Sequence, residues 1–355
     1  MSVTLKDLAM LTGVSRQAVA AALEDGSSGS RVSARTREKV RKLARELNYV
    51  PNAAARKLRG GSGRTVGILA SPGMALANAV YAEVCQILRS RGYTCLTIDH
   101  AMGELTTLCH QLSACGVDGI VVMDAGEVPG KALRLPDLPI VFCRGRAGGT
   151  DLDVDKELTG YLATAHLLAH GHASVHYLTV STGTGTSLRQ HGWARALKEA
   201  GRTGKVIELR KLDGSAARLD ELLRRERATA LFCSNDFIAG KAMRVLTDRN
   251  LRIPEDIAVV GCDGHSFVEF TRPALTSVIQ PVHTLAERCV DMLLDRIERR
   301  IHGVVLEGAV IPPRLWLGGS CGCPDRKPEI LYRLDTTGNL EKDFRSNLNS
   351  SLWPD

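Results

Sequence analysis

The first 64 residues carry a concentration of basic side chains that could bind a polyanion. They hold 13 lysines and arginines against 5 aspartates and glutamates, a formal balance of +8, while the other 291 residues balance at −1. Almost the whole net charge of +7 therefore lies in one N-terminal segment. Basic side chains that neutralise phosphates release counterions from nucleic acid, which gives affinity without regard to base sequence. The segment is a candidate nucleic-acid interface, and the alternative is a solvated basic tail.

Other reactive side chains form weaker patterns. The ten cysteines are scattered, and we interpret them as reduced thiols and small buried hydrophobic residues. Cys321-Gly322-Cys323 has no second pair of ligands beside it in the sequence, so no zinc site is expected there. The run Gly183-Thr184-Gly185-Thr186 lacks the Gly-Lys-Ser/Thr ending of a phosphate-binding loop. No Ser/His/Asp order or carboxylate pair indicates catalysis, and no cofactor is expected.

The basic segment has the pattern of folded helices, which argues against a solvated tail. Thr4 and Asp7 have the spacing of a capping box that opens a first helix near Leu5. The apolar face of this helix would consist of Leu5, Leu8, Ala9 and Leu11. Gly13 favours the turn that ends it, and Ser15 would cap a second helix over about 16–23.

A third helix is predicted to start after Ser33 and to end before Pro51, because proline cannot continue a helix. Its buried face would consist of Val40, Leu43, Ala44 and Leu47, which repeat at helical spacing. Its other face would carry Arg35, Arg37, Lys39, Arg41, Lys42 and Arg45. Two helices joined by a short glycine-containing turn form a helix-turn-helix, so a DNA-binding domain is predicted.

The chain after Pro51 predicts a short hinge helix over 52–59. Asn52 can cap it, and the glycines at 60, 61 and 63 release the chain into a linker. Eight residues are too few for a stable isolated helix, so we expect this segment to fold only on DNA.

These residues together resemble the DNA-binding headpiece of the lactose-repressor (LacI) family. The resemblance rests on VTLKDLAMLTGVSRQAV, on RVSARTREKVRKLARELNYVPNAAARKL, and above all on the Tyr-x-Pro-Asn-x-x-Ala-x-x-Leu run. It implies that the second helix enters the major groove, where Arg suits guanine and Gln suits adenine. It also implies that Leu58 wedges into the minor groove and bends the duplex. The implied DNA contacts are Thr4, Ser15, Arg16, Gln17, Ala21, Arg31, Asn52, Ala55, Arg56 and Leu58.

Two departures from the family pattern concern the operator. The family usually has a polar or basic residue where Ala21 stands, so one base contact is expected to be lost. The loop over 24–31 is a few residues longer than usual and begins with Glu24 and Asp25. We expect DNA binding to be kept, while the operator sequence does not follow from these residues.

The remaining chain alternates short apolar runs with amphipathic stretches, which is typical of a parallel sheet with crossover helices. Strands of a first lobe are predicted at 66–70, 93–98, 119–123 and 140–142, and strands of a second lobe at 175–180, 205–209, 230–233 and 257–261. Helices are predicted at about 79–91, 160–170, 192–200, 237–249 and 283–300. No stretch approaches 18 apolar residues and no signal peptide is visible, so a cytoplasmic protein is expected.

Motifs in this region resemble the effector core that the LacI family shares with periplasmic sugar-binding proteins. Examples are RQHGW, CSNDFIAGKAM and IPEDIAVVGCDG. The resemblance implies two doubly wound lobes joined by three crossovers, with a ligand in the cleft at the strand C-termini. The implied cleft residues are Ser71, Asn78, Arg144, Asp155, Arg189, Asn235, Asp263 and Gln280. A fork of guanidinium donors beside a carboxylate suits a polyol or an anion.

The same resemblance bears on two other features. The family pattern accounts for His166 and His172, so the four histidines between 166 and 176 are not expected to bind a metal. Sugar-responsive relatives place an aromatic ring where Gly214 stands here, and Phe237 and Phe267 are the rings that could replace it. A plain hexose is therefore less favoured than a smaller, more acidic or uncommon effector, or none.

The predicted fold is an all-α helix-turn-helix headpiece with a hinge helix, joined to an α/β two-lobed core of two doubly wound parallel sheets. The predicted boundaries are 1–50 for the DNA-binding domain, 51–63 for hinge helix and linker, 64–322 for the effector-binding and dimerisation core, and 323–355 for a polar extension. The extension contains no leucine heptad of useful length, so a tetramerising coiled coil is not supported.

The predicted function is that of a homodimeric bacterial regulator, expected to repress, in the cytoplasm and on the nucleoid when bound. Its partners would be a pseudo-palindromic double-stranded operator and a small-molecule effector, a sugar or related metabolite, with no membrane. The first-lobe faces, including the helix around 79–91, would form much of the dimer. Two alternatives stay open: an effector-independent regulator whose core only dimerises, and a sugar-binding protein with a basic segment.

Overall fold

The computed structural model describes residues 3–23, 32–49, 63–71, 75–99, 104–125, 134–145, 151–180, 184–209, 229–302 and 308–323. The chain divides into two compact units between Thr65 and Val66. Five of the predicted DNA contacts lie outside the described residues: Arg31, Asn52, Ala55, Arg56 and Leu58. The predicted hinge helix, Gly214 and the extension from residue 324 onward also lie outside them.

The described part of the N-terminal unit is a three-helix headpiece. It contains α1 (Leu5–Thr12), α2 (Arg16–Leu23) and α3 (Ala34–Glu46). The helices pack on a small core of Leu8, Val19, Ala22, Val40 and Ala44. All three predicted helices are thus confirmed, with bounds within a residue or two of those expected.

Local hydrogen bonds explain where the headpiece helices start. Thr4 and Asp7 form the predicted capping box at α1. The hydroxyl of Ser15 accepts a bond from the backbone N–H of Ala18, and Ser33 caps α3. Each cap satisfies a backbone donor that has no partner inside its own helix.

The prediction for Leu11 of the headpiece was wrong, because its side chain faces solvent. Leu11 is 56% exposed, so it does not belong to the buried face of α1. Thr12 takes that place, and its hydroxyl donates to the carbonyl oxygen of Leu8 at 2.6 Å. Thr12 lies seven residues after Leu5 and four residues after Leu8, and these spacings keep the three side chains on one face of the helix.

The second unit begins with the first lobe. Its elements are β1 (Thr65–Ala70), α4 (Ala75–Ser90), β2 (Thr94–Asp99), α5 (Leu105–Ala114), β3 (Gly119–Ala125), β4 (Ile140–Gly145) and β5 (Leu152–Val154). The chain then crosses into the second lobe. That lobe contains α6 (Lys156–Ala169), β6 (His176–Val180), α7 (Thr184–Glu199), β7 (Val206–Leu209), β8 (Ala230–Cys233), α8 (Asp236–Asp248), β9 (Ala258–Asp263) and β10 (Thr276–Ile279).

After β10 the chain crosses between the two lobes two more times. The elements that follow are α9 (Val282–Arg299) and β11 (Ala309–Ile311) in the first lobe and β12 (Arg314–Trp316) in the second. The two sheets have the strand orders β11-β5-β4-β3-β1-β2 and β12-β10-β9-β8-β6-β7. β12 pairs antiparallel with β10, and the other pairings described within the second sheet are parallel. Two doubly wound lobes and three crossovers are therefore confirmed.

The secondary-structure predictions erred mainly at short elements and helix starts. β5, β10, β11 and β12 have only three or four residues each, too few to show a period, and α5 was also missed. α6 begins at Lys156, not at 160, because Asp155 caps it, and α7 begins at Thr184, not at 192.

Two glycines let α6 and α7 approach backbone to backbone. A Cβ on Gly192 would lie 1.8 Å from the carbonyl oxygen of Glu157, and one on Gly160 would lie 1.9 Å from that of Arg189. Only a residue without a side chain fits at either place. The contact holds the segment of α7 that carries Arg189 firmly against α6.

A buried ion pair fastens α9 to the first lobe. The guanidinium of Arg296 lies 2.6 Å from the carboxylate of Asp151, with side-chain exposures of 3% and 0%. Asp151 also accepts a bond from the backbone N–H of Phe142 at 2.7 Å.

Among the described residues, no helix is long and apolar enough to cross a membrane.

Candidate functional site

The start of α2 presents polar side chains outward from the headpiece. Arg16 and Gln17 are exposed, while Ala21 is half-buried one turn later. Val19 and Ala22 face the core and are fully buried, so the outer face is set by the packing of the inner one. A guanidinium and an amide at the exposed N-terminus of such a helix can reach base edges in a major groove.

Two basic residues of α3 serve the headpiece itself. The ammonium of Lys39 donates to the carbonyl oxygen of Thr12 at 3.0 Å, and Nε of Arg41 donates to that of Ala22 at 3.0 Å. These carbonyls lie at the C-terminal ends of α1 and α2, where a positive charge is favourable. Part of the basic pattern therefore stabilises the helices that present Arg16 and Gln17.

In the first lobe, charged groups collect where β3, β4 and β5 end. Arg144 is buried and its Nε donates to Oδ1 of Asp124 at 3.0 Å. Lys156 lies 2.6 Å from Oδ2 of Asp153 and donates to the carbonyl oxygen of Gly145 at 2.8 Å. The carboxyl ends of parallel strands are where α/β folds bind ligands.

The second lobe has a matching group. Nη2 of Arg189 lies 3.2 Å from Oδ1 of Asp263, and Nη1 donates to the carbonyl oxygen of Ser234 at 3.1 Å. The side chains of Arg189 and Asp263 are only 14% and 7% exposed. A nearly buried guanidinium and carboxylate at the ends of β8 and β9 can bind hydroxyl or carboxylate groups in fixed directions.

Backbone strain is concentrated at these positions. Asp124, Arg144 and Asp263 have φ values of 49°, 57° and 112°, in the region that side-chain-bearing residues rarely adopt. All three lie at or next to the C-terminal end of a strand. Such strain typically marks sites where a side chain is aimed for function.

Two buried polar atoms of the same groups lack hydrogen-bond partners within the described ranges: Oδ2 of Asp124 and Nε of Arg189. Buried polar atoms in native proteins nearly always have a partner. A polar ligand at the strand ends would provide one.

The charges of the two lobes act on each other. Burial, the largest influence, works against the charge of Arg144, yet its pKa is raised because Asp124, Asp153 and Asp263 outweigh that effect. Asp263 belongs to the second lobe and Asp153 to the first, so charged groups at the strand ends of both lobes lie within electrostatic range of Arg144.

Asp236 supports the second-lobe side of this cleft. It is fully buried, and burial raises the pKa of its carboxyl to about 7. Ser277 donates to it from Oγ at 2.6 Å, and His265 from its backbone N–H at 2.8 Å. The carboxyl therefore orders the loop after Asp263.

The two aromatic rings expected near the cleft do come together. The ring of Phe237, which is 52% exposed, lies 5.3 Å from that of Phe267. The imidazole of His265, which the sequence analysis did not single out, is 4.9 Å from Phe237 and 5.9 Å from Phe267. The cluster adjoins Asp263 in the chain and offers ring faces to a ligand.

The other predicted cleft residues have more local roles. Asp155 and Asn235 cap α6 and α8, with side chains that accept from the backbones of Leu158 and Ile238. Gln280 is buried, and its amide donates to Sγ of Cys262 at 3.3 Å. Ser71 is half-buried after β1, and Asn78 is exposed in the first turn of α4. Their contact with a ligand stays a prediction.

Several polar residues of the cleft were missed by the sequence analysis, namely Asp124, Asp153, Lys156, Asp236 and His265. Each lies within a few residues of the C-terminal end of a strand. That position was a usable signal for Asp124, which comes directly after an apolar run, and for Asp236, which follows such a run after two polar residues.

Comparisons with known proteins find relatives of both units of the chain. Residues 4–52 match the family described as bacterial regulatory proteins, lacI family, and residues 164–321 match a periplasmic binding protein-like domain. Over 317 residues the chain is 33% identical to the HTH-type transcriptional repressor PurR of Vibrio atlanticus (strain LGP32), covering 84% of this chain and 93% of the relative. The corresponding repressor of Erwinia tasmaniensis is 32% identical over 318 residues, covering 83% and 90%.

Solved structures show the same likeness. The lac repressor dimer bound to operator and the anti-inducer ONPF has a TM-score of 0.73 at 25% identity, covering 90% of this chain and 99% of that one. The complex of the transcriptional regulator CelR with cellobiose has a TM-score of 0.58 at 27% identity, covering 90% and 99%.

Proposed function

The chain belongs to the LacI family of bacterial regulatory proteins, and we infer that it is a sequence-specific DNA-binding transcriptional repressor whose operator affinity is modulated by a small molecule. The observation that carries this function is the exposed start of α2 on a folded, strongly basic headpiece. The curated relatives of the chain are transcriptional repressors, and the protein is not an enzyme.

The DNA interface is assigned to α2 and to the segments that flank the headpiece. Arg16 and Gln17 are the base-reading side chains, while Ala21 contributes at most an apolar contact. The lac repressor structure is a dimer on its operator. Two copies of this chain would likewise place two α2 helices on a pseudo-palindromic site, since a two-fold protein matches two-fold DNA. This function is performed in the bacterial cytoplasm, on the nucleoid when DNA is bound.

The effector is assigned to the cleft between the strand ends. Arg189 and Asp263 would bind adjacent hydroxyl or carboxylate groups, and Asp124 would accept from a hydroxyl through its unpartnered oxygen. The exposed face of Phe237 would pack on the apolar side of the ligand. This chemistry suits a sugar or a related metabolite, and CelR was solved with cellobiose.

A second candidate is a regulator that needs no effector. The observation in its favour is that Arg144 and Arg189 already have carboxylate partners at 3.0 and 3.2 Å. In that case the core only dimerises, and DNA affinity is independent of metabolites.

Selection on a randomised pseudo-palindromic DNA pool, followed by fluorescence anisotropy with a salt titration, tests DNA recognition. We expect enrichment of a two-fold site and a steep fall of affinity with salt. Arg16→Ala should weaken binding to the selected site roughly 10- to 100-fold, the worth of one bidentate base contact. Arg244→Ala, an equal loss of charge at an exposed position of α8, should leave it unchanged. Binding that ignores sequence in the unaltered protein would refute the assignment.

Calorimetry against a panel of sugars, sugar acids and other small metabolites tests the effector. A ligand that binds should change the affinity of the protein for the operator by a certain factor. Operator DNA should change the affinity of the protein for that ligand by the same factor, because coupling is reciprocal. If none binds while the operator is still recognised, the effector-independent alternative is correct.

A further inference from the structure

Two histidines and two cysteines meet at one point of the second lobe, away from the cleft. His166 lies in the last turn of α6 and His170 is the C-cap residue of that helix, while Cys321 and Cys323 flank Gly322 near the end of the described chain. Their four ligand atoms all lie within 4.8 Å of one another, and no other such group of metal-binding type occurs among the described residues.

The spacing of these atoms suits a small tetrahedral ion. Nε2 of His166 lies 3.2 Å from Sγ of Cys321 and 3.7 Å from Sγ of Cys323. Nε2 of His170 lies 3.3 Å from Sγ of Cys323. Zinc bonds of about 2.0–2.3 Å at tetrahedral angles place ligand atoms about 3.3–3.8 Å apart. The nitrogens and sulfurs are therefore already close to the edges of such a tetrahedron.

Burial and charge favour a divalent ion. His166 and Cys321 are each 1% exposed and Cys323 is 5% exposed, so three of the four residues are buried, and His170 is half-buried. Two thiolates neutralise the two charges of Zn²⁺, and a neutral complex can be buried without a large desolvation penalty. Sulfur and imidazole ligands select zinc over magnesium or calcium, which prefer oxygen.

The sulfur ligands are held in place by the surrounding backbone. Ser320 donates from Oγ to the carbonyl oxygen of Val259 at 2.6 Å and accepts from the backbone N–H of Thr276 at 2.9 Å. The hydroxyl of Thr276 lies 3.0 Å from Sγ of Cys321. Gly322 has a φ of 99°, a conformation that allows the cysteines on either side to turn toward the same point. The pair is thus preorganised for a common ligand.

The histidines are preorganised by α6. Residues four apart lie on one helix face, and the two ring centroids are 4.8 Å apart with an interplanar angle of 76°. This crossed arrangement lets both rings point a nitrogen at the cysteines without stacking on each other.

We propose that His166, His170, Cys321 and Cys323 bind one Zn²⁺ per chain in a closed, structural site. Four protein ligands leave no position for water or substrate, so the ion stabilises and does not catalyse. It would fasten the C-terminal end of α6 to the chain segment that follows β12. Asp155, at the other end of α6, is about 16 Å from His166 along the helix axis, so the ion does not touch the cleft.

The test is the zinc content of the full chain, purified in a reducing agent and dialysed against buffer with a trace of zinc. Metal is released by denaturation and measured with a chromophoric chelator. We expect one zinc per chain, and near zero for Cys323→Ser and His170→Ala. Cys115→Ser and His110→Ala, equivalent changes at residues outside the cluster, should retain one.

A second measurement guards against variants that bind nothing because they do not fold. Replacing zinc by Co²⁺ in the unaltered protein should give the intense visible absorption of a tetrahedral ion with thiolate ligands. Thermal unfolding should shift upward as free zinc is added, and the shift should be absent in Cys323→Ser and present in Cys115→Ser.

Three results would overturn the site. One is a zinc content near zero in the reduced, folded protein. Another is a weak Co²⁺ spectrum typical of six oxygen ligands. The third is a disulfide between Cys321 and Cys323, seen as a loss of two mass units, whose reduction does not create a zinc site.

Discussion

Replacing Asp236 by asparagine should make the stability of the second lobe less dependent on pH. The carboxyl is fully buried, and burial is the largest influence that raises its pKa from 3.8 to about 7. Bonds from Ser277 and from the backbone of His265 favour its charged form but do not offset burial. An amide at this position can keep both partners, since its oxygen can accept from His265 while its NH₂ donates to the hydroxyl of Ser277.

The sign follows from proton binding. With a pKa of 3.8 in the unfolded chain and about 7 in the folded one, the folded state binds more protons between these values. The contribution of Asp236 to stability is therefore full below about pH 4 and is lost as the pH rises toward 7. Three pKa units at about 1.4 kcal/mol each limit the loss to about 4 kcal/mol. The asparagine of the Asp236→Asn variant is neutral at every pH in this range, so the variant does not show this loss of stability.

Urea unfolding at a series of pH values between about 4 and 8 measures this effect. The signal is tryptophan fluorescence, to which Trp193 and Trp316, both buried in the second lobe, contribute along with Trp353. As the pH rises across this range, the unfolding free energy of Asp236→Asn should increase relative to that of the unaltered protein by up to about 4 kcal/mol. The matched control is Asp256→Asn, because Arg252 lowers the pKa of Asp256 to about 2 and its window ends below pH 4. Parallel curves for the unaltered protein and Asp236→Asn would refute the reasoning.

Three further substitutions test the packing and the cleft. Arg296→Ala leaves the carboxylate of Asp151 buried without its partner, so urea unfolding should show a loss of about 3–5 kcal/mol; a loss below about 1 kcal/mol would contradict a buried ion pair. Gly192→Ala should lower Tm, because its Cβ would lie 1.8 Å from a backbone oxygen of α6, whereas Gly240→Ala, whose Cβ meets nothing closer than 3.6 Å, should not. Asp263→Asn should weaken effector binding in calorimetry at least tenfold while operator affinity without effector stays unchanged; equal loss of both would mean a folding defect.

The headpiece was the most predictable part of the chain because its structure is decided locally. Thr4 and Ser33 cap the N-terminal ends of helices through bonds to residues three positions away, and such spacings are visible in the sequence. Leu11 was misplaced because leucine at i+6 and threonine at i+7 compete for the buried face, and the helix period favours Thr12 despite its hydroxyl.

The cleft was predictable only in part. Arg189 and Asp263 sit in motifs of the family, and the structure joins them directly. Asp124 lies in no such motif, and Asp236 lies in one, CSNDFIAGKAM, that does not reveal the partners of its carboxyl. Their roles depend on which strands are neighbours and on which side chains, such as Arg144 and Ser277, lie across the sheet edge. Strand order is a non-local property, so these contacts do not appear in any short window of sequence.

The zinc ligands show the same limit more sharply. His166 and His170 alone, or Cys321 and Cys323 alone, are each half of a site, and more than 150 residues separate the halves. They meet because β12 turns back antiparallel on β10, with Ser277 opposite Trp316, and because α6 packs against the same sheet. The register that brings Gly318 to the hydroxyl of Thr276 then places the next cysteine beside His166. The histidine pair and the cysteine pair are each weak sequence signals for a metal site. The sheet topology brings the two pairs together, so the site is visible only in the folded structure.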